Sequence, residues 1–69
     1  MTEASVIGKR LLDLRTKSKK TGEEVAIACG ISRSALTMYE TGARIPRDEI
    51  KVKLASYYGA SVESIFFTP

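Results

Sequence analysis

The sequence predicts an all-α fold of five short helices, and three observations carry that prediction. Apolar residues recur at helical spacing, as with Ile7, Leu11 and Leu14 at i, i+4 and i+7. Single glycines stand just beyond such stretches, at Gly30, Gly42 and Gly59, where a left-handed residue ends a helix. The segment Ile50 to Leu54 alternates with period two and could be read as a strand, but it has no partner strand and runs on into the helical face of Ala55, Tyr57 and Tyr58.

The elements follow in order. Residues 5–18 form helix one, with Lys9, Arg10, Asp13 and Lys17 off the apolar face. Gly8 weakens it by about 1 kcal/mol relative to alanine, so its first turn is expected to fray. Thr21 precedes Glu24 by three residues, the capping-box spacing, and Val25, Ala26 and Cys29 give a second helix a short apolar face before Gly30. Ser32 offers a side-chain oxygen to cap helix three, which starts at Arg33 and stops at Thr41-Gly42. Its inner side is Ala35, Leu36 and Tyr39; its outer side is Arg33, Ser34, Thr37 and Met38. Asp48 is expected to cap a fourth helix, in which Ile50, Leu54 and Tyr58 recur at i, i+4 and i+8. Gly59 ends it, and Ser61 caps a last short helix carrying Val62, Ile65 and Phe66.

Composition narrows the function. At 69 residues the chain can hold one small core, so residues 1–69 are expected to form a single domain. Cys29 is the only cysteine and histidine is absent, which excludes an intramolecular disulfide, a Cys/His zinc cluster and histidine acid–base chemistry. No nucleophile–base pair or glycine-rich phosphate loop is present, so the expectation is a protein that is not an enzyme and takes no cofactor and no metal. No stretch approaches the roughly 20 apolar residues of a membrane span, and a cytoplasmic protein with no membrane partner is expected. Self-association is the remaining aid to a core this small.

The net charge is +3, and residues 1–20 alone carry +4 through Lys9, Arg10, Arg15, Lys17, Lys19 and Lys20 against Glu3 and Asp13. Such an excess suits partners rich in phosphate, although a basic run is also an ordinary solvated face. The pair of short helices joined at Gly30 adds the sharper observation. A helix crossing another closely needs a small contact residue, here Ala26; a tight turn with positive φ, here Gly30; and apolar wedges, here Val25, Cys29, Ile31, Leu36 and Tyr39. Residues 21–40 therefore read as a helix-turn-helix.

Over residues 7–66 the chain resembles the Cro/C1-type, or xenobiotic-response-element type, family of phage repressors and small bacterial regulators. The residues that carry the resemblance are Ile7-Gly8-Lys9-Arg10-Leu11 with Leu14-Arg15, Glu23-Glu24-Val25-Ala26, and Gly30-Ile31-Ser32-Arg33-Ser34-Ala35-Leu36. They continue with Tyr39-Glu40-Thr41-Gly42, Arg44, Pro46, Leu54-Ala55 and Gly59-Ala60-Ser61-Val62, in order and without a gap. The resemblance implies a lambda-repressor-like fold in which Arg33, Ser34, Thr37 and Met38 face base edges in the major groove. It also implies an ion pair between Arg15 and Glu40 that ties helix one to helix three. Two positions depart from the family: Gly22 stands where a phosphate-touching glutamine is frequent, leaving only a backbone N–H, and Lys20 stands where an apolar residue is common.

On this reading Arg33, otherwise a plain solvated charge, is the best donor to guanine O6 and N7, while Ser34 and Thr37 either read bases or form a plain exposed face. Met38 packs on a thymine methyl, fills a gap under the following loop, or is unused. Lys17, Lys19, Lys20 and Arg44 serve phosphates or are plain surface, and backbone amides near Thr21-Gly22 and Ser32-Arg33 hold phosphate at helix starts. Four of the five aromatics fall in the last 13 residues, more than a monomeric core needs, so Tyr57, Ile65 and Phe67 are expected at a homodimer interface, with Phe67 foremost. Cys29 and Tyr58 read as core. The expected function is a transcriptional regulator, a repressor binding double-stranded DNA as a homodimer. The alternative is a protein-interaction module of the same fold, such as an antitoxin with secondary DNA binding.

Overall fold

The computed structural model describes residues 3–68. Four α-helices, α1 (Glu3–Lys17), α2 (Gly22–Cys29), α3 (Arg33–Thr41) and α4 (Asp48–Tyr58), are followed by one π-type turn of helix, Glu63–Phe67. The fold is all-α, with no strand among the described residues. None of these helices is long and apolar enough to cross a membrane.

Local chemistry explains most boundaries. Thr21 and Glu24 close the capping box at the start of α2: the Glu24 N–H donates to Thr21 Oγ1 at 3.1 Å, and the Thr21 N–H donates to Glu24 Oε2 at 3.0 Å. Ser32 Oγ accepts the Ala35 N–H at 3.0 Å and starts α3. Gly30 is left-handed, φ +68°, and the Ile31 N–H reaches back to the Ala26 carbonyl at 3.0 Å, turning the chain from α2 into α3. The α1–α2 turn is closed differently, by Lys19 at φ +57°, with the Lys20 N–H donating to the Arg15 carbonyl at 3.2 Å. Ser61 Oγ accepts the Ser64 N–H at 3.0 Å before the final turn.

Two expectations are corrected. Asp48 does not cap α4; it is the first helical residue, Arg47 precedes it without a side-chain cap, and the Asp48 carboxylate instead lies 3.7 Å from Lys51 Nζ. Gly8 does not fray the start of α1, which is helical from Glu3. A Cβ on Gly8 would stand 2.6 Å from the Glu40 carbonyl oxygen and 2.7 Å from that of Tyr39, so the missing side chain is what lets α1 lie against the end of α3. Packing across that contact outweighs the modest propensity penalty. Gly42 makes a second close approach, since a Cβ there would meet Ser5 Cα at 2.9 Å.

The core joins Ile7 and Leu11 of α1, Val25 and Cys29 of α2, Leu36 and Tyr39 of α3, Ile50 and Leu54 of α4, and Ile65 and Phe66 of the closing turn. The period-two pattern of residues 50–54 is resolved as a helix: Ile50 and Leu54 are buried, whereas Val52 is 56% exposed. Lys51 is folded in, its ammonium 4.8 Å from the Phe67 ring centre and 5.7 Å from that of Phe66.

Candidate nucleic-acid interface

Helix α3 is held by its inner face and offers its outer one. Leu36 and Tyr39 are buried in the core, while Arg33, Ser34 and Thr37 are exposed and Met38 is half-buried. The Thr37 hydroxyl donates to the Arg33 carbonyl at 3.1 Å, so toward a partner it presents lone pairs and its methyl group. The Met38 carbonyl accepts the N–H groups of Ala43 at 2.9 Å and Arg44 at 3.2 Å, and the Thr41 hydroxyl at 3.3 Å. That carbonyl binds the loop carrying Arg44 to the end of α3.

The frame behind α3 is the Arg15 and Glu40 pair. Arg15 Nε donates to Glu40 Oε2 at 2.7 Å and Arg15 Nη2 to Glu40 Oε1 at 3.1 Å, the two-pronged geometry of guanidinium on carboxylate. Arg15 Nη1 also donates to the Lys20 carbonyl at 3.2 Å, so one side chain ties α1, α3 and the turn into α2. The hydrogen bond to Glu40 raises the Arg15 pKa above its ordinary value, against desolvation, and the Glu40 charge adds to it. Burial raises the Tyr58 phenol as well, with the Glu40 charge contributing; its hydroxyl is buried with no hydrogen-bond partner among the described residues.

Lys17, Lys19, Lys20, Arg33 and Arg44 are all exposed. None of them takes part in an ion pair among the described residues, where the pairs are Arg15 with Glu40, Arg47 with Glu49 and Lys51 with Asp48. No described carboxylate lies within ion-pair distance of them. By helix geometry the first N–H groups of α2 (Gly22, Glu23) and of α3 (Arg33, Ser34) have no intrahelical acceptor. Thr21 and Ser32 spend their hydroxyl oxygens as caps. At the start of α2 the exposed Glu23 opposes an anion, while the Arg33 guanidinium lies against Gly22.

At the other end of the molecule the three interface candidates separate. Phe67 is 60% exposed and, with Val6, Arg10 and Phe66, lines a shallow groove of about 320 Å³. Tyr57 is half-buried, edge-on to Tyr58 at 5.3 Å between ring centres. Ile65 is corrected: it is 2% exposed in the core, and its carbonyl accepts from Arg10 Nη1 at 3.0 Å, so it has no side-chain surface to offer a second copy. Sequence periodicity missed Ile27, 73% exposed on α2, because the short apolar face of α2 was already assigned to Val25, Ala26 and Cys29. It also missed that the Arg33 side chain covers Gly22, which periodicity within one helix does not encode.

Residues 6–65 match the profile of a helix-turn-helix domain family. The cryptic phage CTXphi transcriptional repressor RstR of Vibrio cholerae is 30% identical over 60 residues, covering 87% of this chain and 54% of that protein. The chain thus spans about half the length of the curated relative it matches. No solved structure matches it. With a capped pair of helices joined through Gly30, an exposed α3 face and a profile match over most of its length, the chain belongs to the helix-turn-helix domain family, of the Cro/C1 type.

Proposed function

We propose that the protein is a transcriptional repressor that binds double-stranded DNA as a homodimer on a two-fold symmetric operator, blocking polymerase access. The observation that carries the reading is the exposed outer face of α3, braced from behind by Arg15 and Glu40 and accompanied by five exposed cations without ion-pair partners among the described residues. Arg33, Ser34, Thr37 and Met38 face the bases on this reading. Lys17, Lys19, Lys20 and Arg44, with the amides near Gly22 and Ser32, hold phosphates. The similarity to a phage repressor supports the sign of regulation.

A single α3 spans about four or five base pairs, too few to compete with nonspecific sites, whereas a two-fold dimer sets two such helices in successive major grooves about 34 Å apart. Phe67 anchors that dimer and Tyr57 borders it. Selection of bound sites from random duplex DNA tests the whole reading. An enriched inverted repeat with half-sites one helical turn apart is expected; no enriched sequence would refute operator binding, and a single half-site would refute the dimer.

A further inference from the structure

Lys51 stands on α4 with only 13% of its side chain exposed, although a lysine on a short helix ordinarily extends into water. Its ammonium lies 4.8 Å from the centre of the Phe67 ring and 5.7 Å from that of Phe66, both within cation–π reach. The Asp48 carboxylate is 3.7 Å away but 98% exposed, so that ion pair restrains the ammonium little. The two rings are the stronger hold. Phe66 is fixed in the core at 2% exposure, whereas Phe67 is 60% exposed on the closing turn. Lys51 thus links a ring that packing has already placed to one that packing leaves in water.

We propose that Lys51 is a positioning residue of the surface on which two copies of the chain associate: its ammonium holds the Phe67 ring against α4 in the orientation that the second copy meets. Two physical effects favour association. A ring ordered before the copies meet loses less freedom when it is covered. A cation–π contact is also worth about twice as much when water is removed from it as at an exposed site, and a second copy lying on the outer side of Phe67 removes that water. The contact is therefore stronger in the dimer than in the monomer, and a two-fold axis makes it count twice. An apolar side chain at position 51 fills the same space without this gain. This inference rests on the proposed homodimer through Phe67.

The test has two parts. In the free protein the Lys51 Hε protons should show nuclear Overhauser contacts to the Phe67 ring protons and resonate upfield of an ordinary lysine, moving back toward that position in Phe67→Leu; the absence of both signatures would overturn the hold itself. Sedimentation equilibrium then compares wild type, Lys51→Met, Lys51→Arg, Phe67→Leu and the double variant Lys51→Met/Phe67→Leu. Lys51→Met keeps the apolar stem and loses the charge, and should weaken the dimer about tenfold. Lys51→Arg keeps a cation that stacks on aromatic faces and should stay within about threefold of wild type. In the Phe67→Leu background Lys51→Met should add less than about twofold. Lys51→Met should also leave half-site binding unchanged while operator binding falls with the dimer. A merely structural role predicts instead a lower melting temperature with equal losses on half-site and operator. No loss in Lys51→Met, or a loss that persists undiminished without the Phe67 ring, would overturn the proposal. A wild type that stays monomeric on operator DNA refutes the dimer reading, while a dimer indifferent to Lys51 refutes only this inference.

Discussion

Arg15 and Glu40, 25 residues apart, meet through two parallel hydrogen bonds of 2.7 and 3.1 Å, with only 21% and 9% of their side chains exposed. That burial places the pair nearer to a desolvated ion pair than to a surface one. Removing one partner strands the other's charge. Glu40→Ala should therefore destabilise by about 3 kcal/mol, at the lower end for broken buried pairs, and lower the melting temperature by at least about 12 °C. Replacing both residues by apolar ones should recover much of the loss. A double-mutant cycle by thermal or urea unfolding measures the coupling, and a value near zero would show the pair to be energetically idle.

Tyr58 has a buried hydroxyl with no partner among the described residues, so Tyr58→Phe should be neutral or stabilising by up to about 1 kcal/mol. Two groups link the core to alkaline pH. Burial raises the Tyr58 phenol above its ordinary 10.0 and the Cys29 thiol above 9.0, the latter against the opposing charge of Lys53. Both are neutral when protonated, and the native state keeps its proton to higher pH than the unfolded chain does. The stability they confer is complete below about pH 9 and declines above it as the unfolded chain ionises first. Urea titrations between pH 7 and 11 should show that decline, and Tyr58→Phe should shallow it at the upper end.

Lys19 adopts φ +57° to close the α1–α2 turn, a conformation costly to any residue with a Cβ. Lys19→Gly should relieve that cost, less the extra freedom that glycine has when unfolded, for a net gain of about 0.5 kcal/mol. If Lys19 also touches phosphate, the same variant should bind every sequence more weakly and reduce the slope of log affinity against log salt by about one unit. Lys19→Ala should share the binding loss without the gain in stability. Melting curves and salt titrations read the two effects separately.

Phe67 and Ile65 are close neighbours with opposite expectations. Phe67→Ser removes an exposed ring, so the helical signal should persist while sedimentation equilibrium shifts toward monomer and operator affinity falls more than half-site affinity. Ile65→Ser opens the core instead and should cost several kcal/mol, lowering the melting temperature whatever the oligomeric state. A Phe67→Ser protein that remains dimeric with full operator affinity would remove this residue from the interface.

Local chemistry was legible in the chain itself. Thr21 with Glu24, Ser32, Gly30, Gly42 and Gly59 mark helix ends that the structure reproduces, because caps and left-handed stops depend on a few adjacent residues and little else. The inward sides of α1 and α3 were legible too, since a helix of constant pitch turns apolar spacing into a face. Asp48 escaped this logic: a carboxylate beside a helix start suits the cap or the first turn equally, and only the path of the loop after Pro46 settles which.

What tertiary structure decided depends on distance between segments that sequence spacing does not encode. The Gly8 contact with the carbonyls of Tyr39 and Glu40, the burial of Ile65 beside the more exposed Phe67, and the folding of Arg33 over Gly22 each require two elements to be in place before either residue has a role. A glycine within a helix reads locally as a weak point, and only the neighbour that fills its missing side chain shows it to be a contact. The sequence by itself determined which residues form helices and which faces turn inward, because those are set within one or two turns of chain. The packing of α1 against α3 and of α2 beside α3 determined the rest, because close approach and burial belong to pairs of helices and not to either one alone.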